Sequence, residues 1–546
     1  MRPRPGRAVA LVALLPLLLT ACTAGDPDPS PTSSPAASVD TGPQPEDVVA
    51  SPVIPEGGIE VRVDVHPVVR DGDLAVLTLD LTPLEDVGEE GYVVVYGFGG
   101  PMATNLTLSD PANVRLVDLE RDVVHHAAVG ADKKPVVAPK DWEWLRGPQG
   151  TRLQIPYAAP DADVTEMSLF LPGAPLVASV PVIDGDVPSS VRPDAPRPTP
   201  TATSTGTATP SPAPEPERIA VDEIVEAPVF PLDSASAELE GAVTTVESTE
   251  RVDVQLGADV LFEFDQATLT PAAGEAIALV AARIAEREPG TVGVVGHTDD
   301  QGDDAYNLDL SRQRAQAVAD ALAPLVGPDY RMQVEGRGET EPFVANDSDE
   351  NRALNRRVAV SLTSTVTTRT DVTATGELPP FGEKGLVGQG NEPLVVDSSS
   401  RRHEVKASAR TVHGHVVVDL TVRGIDDYAD TGWVFPSLRG WSSHRGKGTD
   451  TPMDISGRAV VLDGATKLYP MDYRIGTTER APDGEWLTLT DLRGASRIDG
   501  GQSRVYSFVY PRMATDAVTF QVGTGISFDT DFRIVDVPVA ADPAGR

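Results

Sequence analysis

Two residues of opposite charge carry the clearest chemical signal in this chain. Asp299 closes the element Gly296-His297-Thr298-Asp299, and Arg314 follows further on. Leu310, Arg314, Val318 and Leu322 recur every fourth residue, which puts the guanidinium on the apolar stripe of a helix. There it keeps its charge and must find acceptors. Asp299, at the end of the strand before that helix, is the nearest candidate. A carboxylate and a guanidinium facing one cleft suit a zwitterionic guest. The carboxylate receives an ammonium, and the planar fork holds a carboxylate through two parallel hydrogen bonds. An α-amino acid head group offers both charges a few ångströms apart, and the N–H groups at the start of the helix favour its anionic end. Taken alone, the same pair fits a salt bridge that merely closes the fold.

The elements that must position this pair are legible around it. Val260-Leu261-Phe262-Glu263-Phe264 reads as a strand. Thr270-Pro271 reads as an N-cap with proline in the first turn of a helix that Ile277, Val280 and Ile284 carry and Gly290 ends. Val292 to Thr298 is short and nearly all apolar, as a buried parallel strand would be. A helix over about 304–325 follows, then strands near 332–335 and 357–362. The order βαβαββ predicts a two-layer α/β sandwich over 251–365, with helices covering a mixed sheet. Ligands in such sheets usually sit in the loops at the strand ends.

The rest of the chain gives the setting. Its 82 Asp and Glu against 45 Lys and Arg leave a net charge of -37, which repels phosphate backbones and excludes nucleic acid as a partner. Arg2, Arg4 and Arg7 precede an apolar run from Ala8 to Leu19, the layout of a signal peptide over residues 1–21 and too short for a comfortable membrane span. The run ends in Leu19-Thr20-Ala21-Cys22, which resembles the lipobox of bacterial lipoproteins. That resemblance implies cleavage before Cys22, the only cysteine, and its acylation, palmitate included. Two or more chains suffice for stable anchoring, so the implied place is the cell envelope, extracytoplasmic and lipid-anchored. No other segment is long and apolar enough to cross a bilayer.

Composition predicts a disordered tether over 22–54, a Pro/Thr/Ser-rich linker and connector over 186–250 containing PRPTPTATSTGTATPSPAPEP, and a weaker linker over 366–400. Blocks 55–185 and 401–540 read as all-β and sandwich-like. They share an order of segments: 74–81 with 416–422, 114–118 with 459–463, 155–157 with 508–510, 164–165 with 518–519, and 180–184 with 532–536. The second block therefore reads as a possible duplicate of the first. The fold class is multidomain, a central α/β domain flanked by two β domains.

The central residues resemble the OmpA C-terminal-like peptidoglycan-binding domain, shared with peptidoglycan-associated lipoproteins and flagellar stator proteins. The elements that carry the resemblance are Phe262-Glu263-Phe264-Asp265, Gly296-His297-Thr298-Asp299 with Gly302, Tyr306-Asn307-Leu308, Leu310-Ser311-Arg312-Gln313-Arg314-Ala315, Gly336-Arg337-Gly338-Glu339 with Pro342, and Asn355-Arg356-Arg357-Val358. It implies that Asp299 and Arg314 bind the free D-centre of meso-diaminopimelate, with Thr298, Asp265 and Asn307 as further pocket residues. One departure is visible: Asn351 stands where a Gly usually precedes the Arg of the last motif, and Asn tolerates a left-handed backbone. Arg356 and Arg357 read as braces of the last strand, and His297 as a packed residue.

An enzyme would need machinery that is absent from the sequence. There is no Cys nucleophile, no Ser-x-x-Lys and no His-Glu-x-x-His. His413 and His415 would share a strand face, but no carboxylate or Cys pattern accompanies them, so neither a metal nor a cofactor site is read. The sequons at Asn105 and Asn346 are accidental in a bacterial lipoprotein. The reading is a non-catalytic lipoprotein that binds peptidoglycan and tethers membrane to wall. The alternative is an adhesive or scaffold protein whose β domains hold an envelope protein partner while the central domain only anchors. Stator function would need a true membrane helix with an acidic residue.

Overall fold

The computed structural model describes residues 42–56, 58–86, 92–95, 97–98, 111–146, 148–192, 217–368, 372, 376–398, 401–426, 445, 458–476, 484–490, 498, 500–525 and 530–541. The signal segment, Cys22, the tether to residue 41, the stretch 193–216 and the Asn105 sequon lie outside the described residues. Contacts separate Met1–Gly42 from Pro43–Arg546, and the architecture below is that of the second unit.

The first central strand is Arg251–Gly257, where buried Val252, Val254 and Leu256 alternate with half-buried Arg251, Asp253 and Gln255. The expected strand at 260–264 is not formed. In its place stands the one-turn helix α1, Ala258–Leu261, followed by extended chain. Ala258, Leu261 and Phe262 are the buried residues there, and their spacing of three and four is that of a helix, not a strand. Helix α2, Ala273–Ala285, begins where Thr270 Oγ1 accepts the Ala273 amide at 3.2 Å, and it buries Ile277, Val280 and Ile284. It stops at Ala285, short of Gly290.

Strand Thr291–His297 lies parallel to Arg331–Gly338 and antiparallel to Arg357–Thr363, which pairs in turn with Arg251–Gly257. Helix α3, Asp304–Val326, packs with α2 on this sheet through Ala315, Val318 and Leu322 against Val292, Val294 and Val360. Helix α4, Asp349–Asn355, is capped by Ser348, whose hydroxyl accepts the Asn351 amide at 3.1 Å. Asn351 thus lies in a helix, and its tolerance of left-handed backbone is not used.

The flanking blocks are strand-built and follow one pairing map. In the first, Ile59–Val65 pairs with Leu74–Pro83, which pairs with Thr151–Ala158. Arg115–Asp118 lies between Val123–His125 and Glu166–Phe170, and the latter pairs with Val177–Asp184, which runs parallel to Val68–Asp71. The third block repeats these pairings in the same sense. Arg401–Val412 pairs with His415–Gly424, which pairs with Ser503–Arg512. Ala459–Asp463 lies between Thr466–Ile475 and Ala517–Val522, which pairs with Phe532–Ala540, parallel to Arg401–Val412.

Stretches expected as linker are built into these sheets. Ala50 bridges Val65 and Ile54 is fully buried, so packing begins well before residue 55. Val229–Pro231 adds to Val123–His125 of the first block, and Asp233–Glu238 adds to Thr466–Ile475, the corresponding strand of the third. Val243–Glu247 then links Asp233–Glu238 to Arg251–Gly257, so the central sheet and that of the third block form one hydrogen-bonded path. Leu386–Gln389 and Leu394–Ser398 pair with Phe532–Ala540 and Arg401–Val412. The cause is the open sheet edge: its unpaired N–H and C=O groups order a short segment that composition alone would leave as coil.

The flanking blocks also share a core, in which Val117, Phe170 and Leu176 of the first meet Val417, Met471, Tyr473 and Val509 of the third. Fully buried Arg115 crosses this seam, donating to Tyr473 Oη at 3.1 Å, to the Thr488 carbonyl at 3.2 Å and to the Thr490 carbonyl. His413 and Gly414 both have positive φ and form a two-residue turn, so His413 and His415 do not share a strand face. His415 faces Asp122 across the seam at 2.9 Å. No described helix is long and apolar enough to cross a membrane. Among the described residues no group of three or more His, Cys, Asp or Glu could hold a metal ion.

Candidate functional site

A glycine contact sets how close the site's main helix comes to the sheet. A Cβ on Gly296 would lie 2.0 Å from the Ser311 carbonyl oxygen, and one on Gly336 would lie 2.6 Å from the Arg312 amide nitrogen. Only bare backbone lets α3 seat there. Ser311, fully buried, fixes the contact by accepting the Gly338 amide at 2.9 Å. The glycines of two sequence elements therefore serve helix–sheet packing. Along the inner side of α3 the buried residues change character, from Asn307, Ser311 and Arg314 at its start to Ala315, Val318 and Leu322 beyond. The polar end of that stripe faces the cleft.

Asp265, Thr298, Asp299, Asn307 and Arg314 all line one open cleft of about 740 Å³. The strand end supplies Thr298 and Asp299, α3 supplies Asn307 and Arg314, and the loop after α1 supplies Asp265. Asp299 is 8% exposed; its Oδ1 accepts the Gln301 amide at 3.2 Å. Thr298 is buried, and among the described residues its Oγ1 has no hydrogen-bond partner. Asn307 Nδ2 donates to the Gln301 carbonyl at 3.1 Å and to Glu339 Oε2 at 2.7 Å. Asp265 is exposed in a left-handed backbone at φ 57°, and accepts the Tyr306 hydroxyl at 2.8 Å.

The expectation that Asp299 satisfies Arg314 does not hold. Asp299 Oδ2 is instead held by Arg356 Nη1 at 2.6 Å. Arg356 also grips Asp259 of α1 through Nε at 2.9 Å and Nη2 at 2.6 Å. Arg314 donates from Nε to the Gln266 carbonyl at 2.9 Å and stacks over Phe262, with Cζ 5.2 Å from the ring centroid. Among the described residues its Nη atoms have no hydrogen-bond partner. Burial pushes the Arg314 guanidinium below its ordinary pKa, against the opposing charges of Asp259 and Asp265. Four donor hydrogens of a buried cation thus remain open to the cleft.

Arg356, expected to brace the last strand, is instead part of the cleft wall. The sequence offers no distinction between it and Arg357, which does brace: its Nε meets Gln255 Oε1 of the neighbouring strand at 3.1 Å, and its Cζ lies over Phe343. Arg356 is the C-cap residue of α4, and the last strand begins only at Arg357, so the two side chains belong to different elements. Asp259, Glu263, Asp349 and Arg352 complete the charged lining and were not anticipated as pocket residues. His297 is buried. That burial, with the charges of Arg357 and Arg337, pushes its pKa down to about 3, so it is a neutral packed ring at physiological pH.

Residues 261–356 match the family model described as OmpA family. Outer membrane protein A of Bordetella avium is 36% identical over 109 residues, which are 20% of this chain and 56% of that protein. Probable lipoprotein YiaD of Escherichia coli (strain K12) is 33% identical over 120 residues, 22% of this chain and 55% of that protein. The central block is an OmpA-like domain. Among solved structures, the cell wall anchor of the T6SS from Pseudomonas aeruginosa is 31% identical, with 22% of this chain and 88% of that chain covered and a TM-score of 0.21. The peptidoglycan-associated lipoprotein from Burkholderia pseudomallei is 28% identical, with 18% and 86% covered and a TM-score of 0.16. The chain spans about half the length of the first curated relatives it matches. The likeness covers the OmpA-like domain, and the strand-built blocks on either side stand outside it.

Proposed function

We propose that this protein is a non-catalytic lipoprotein of the cell envelope that grips peptidoglycan by the diaminopimelate head group of its stem peptides and so ties membrane to wall. The observation that carries this reading is the pair of charges open to one cleft, the Asp299 carboxylate and the Nη donors of Arg314. The D-centre ammonium meets Asp299, whose oxygens keep spare lone pairs, and its carboxylate meets the Arg314 fork. The orphan Thr298 hydroxyl takes a further hydrogen bond from or to the guest. Asn307 and Asp265 hold the loops that frame it. The lipid on Cys22 is the membrane end of the tether, a reading supported by likeness to a relative named as a lipoprotein. Two sandwich-like β domains flank the binding domain.

Each lost charge-assisted bond costs roughly 1.5–3 kcal/mol, or about ten- to a hundred-fold in affinity. Asp299→Ala and Arg314→Ala should therefore keep the fold and lose co-sedimentation with purified peptidoglycan. Unchanged pelleting of both variants rejects the assignment.

A further inference from the structure

Phe264 is 95% exposed, although it lines the same cleft as Asp299 and Arg314. Two residues earlier Phe262 is buried beneath Arg314, so the loop turns one aromatic ring in and its neighbour out. Tyr306, 48% exposed, lines the cleft as well, and its hydroxyl is held by Asp265, the residue after Phe264. The cleft thus has two different borders. Asp259, Asp349, Arg352 and Arg356 of the α1 and α4 side are charged, while on the other Phe264 and Tyr306 offer ring surface between the exposed carboxylates of Glu263 and Asp265.

From these borders we infer that Phe264, with Tyr306, is a stacking platform for a pyranose ring of the glycan strand that carries the stem peptide. The inference rests on the peptidoglycan reading above and extends the site beyond the head group. The charged border suits the carboxylates and amides of a peptide. A fully exposed benzyl ring has no such partner to offer, but it matches the C–H face of a sugar, which is apolar. Reach permits it: the sugar lies two residues from the diaminopimelate, roughly 10 Å of extended chain. The cleft of about 740 Å³ has room beyond an amino acid head group.

The test compares three probes on the full chain: free meso-diaminopimelate, the tetrapeptide stem without sugars, and the disaccharide-tetrapeptide. Phe264→Ala removes a side chain that packs on almost nothing in the free protein, so the fold is retained. It should weaken the disaccharide-tetrapeptide about ten-fold, the equivalent of about 1.4 kcal/mol, and leave the other two probes unchanged. Phe264→Trp should restore the lost affinity. An equal loss on the sugar-free stem overturns the inference, because the ring would then contact peptide; so does an unchanged affinity for the disaccharide-tetrapeptide. Failure of the unaltered protein to bind any of the three probes points instead to failure of the head-group reading.

Discussion

Arg314→Met is expected to separate ligand binding from folding. Arg314 is 6% exposed, yet besides its stacking on Phe262 its guanidinium makes one hydrogen bond among the described residues, from Nε to the Gln266 carbonyl. Burial lowers its pKa, which means that the charge is kept in the cleft at a cost in folding energy. Met has nearly the same length and keeps the packing on Phe262. The substitution removes a hydrogen bond from a charged donor, a loss of roughly 1.5–3 kcal/mol, but it also lifts the desolvation of a buried cation, which is of similar size. Gln266 is exposed, so its carbonyl regains water. The two effects offset, and stability should stay within about 1 kcal/mol of the parent. Binding has no such compensation: the guest carboxylate loses its fork, and affinity should fall by at least ten- to a hundred-fold. Urea denaturation followed by circular dichroism gives the first quantity, and calorimetric titration with meso-diaminopimelate the second. A loss of more than about 3 kcal/mol in stability would show the guanidinium to be structural. Parental affinity would refute the ligand role.

Burial alone would raise the Asp80 carboxyl, but hydrogen bonds from Arg152 and His66 outweigh it and bring the pKa down to about 2. A carboxyl depressed in the folded state adds stability above its unfolded pKa near 4, and that contribution disappears as pH falls toward 2. Asp80→Asn should therefore cost about 2 kcal/mol at pH 7 and little at pH 2, read from paired urea melts. Arg115→Ala takes a buried donor from the Thr488 and Thr490 carbonyls across the seam, while the Tyr473 hydroxyl keeps only His126 Nε2 at 2.9 Å. A loss of roughly 3–5 kcal/mol and new proteolytic cuts between the flanking blocks are expected, and an uncut, equally stable variant would contradict the seam's role. Gly296→Ala drives a methyl into the Ser311 carbonyl oxygen, so α3 must shift and Arg314 with it. Stability should fall by about 1–3 kcal/mol with loss of pelleting on peptidoglycan.

How much was legible depended on whether the deciding interaction was local. Helix α3 was readable to within a residue or so at each end because its apolar stripe and cap lie in one stretch of sequence. The same stripe put Arg314 on the inward face, where it is found. By contrast, the strand expected at 260–264 failed because five apolar-rich residues fit either period, and packing of Ala258, Leu261 and Phe262 chose the helix. The partner of Asp299 was misassigned for a related reason. Arg314 is the inward-facing cation close by in the sequence, whereas Arg356 arrives from the end of α4, 57 residues away.

By itself the sequence determined the residue types of the cleft, the helices that carry them and the repeated order of β segments, because caps, periodicity and motif spacing act over a few residues. Only the tertiary structure decided that Arg356 rather than Arg314 clamps Asp299, that the connector strands pair the central sheet to the third block, and that the outer blocks bury a common core. Ladder hydrogen bonds and ion pairs of this kind depend on which edges and charges meet in space, and a segment too polar to fold alone becomes a strand once a neighbouring edge leaves its amides and carbonyls to be paired.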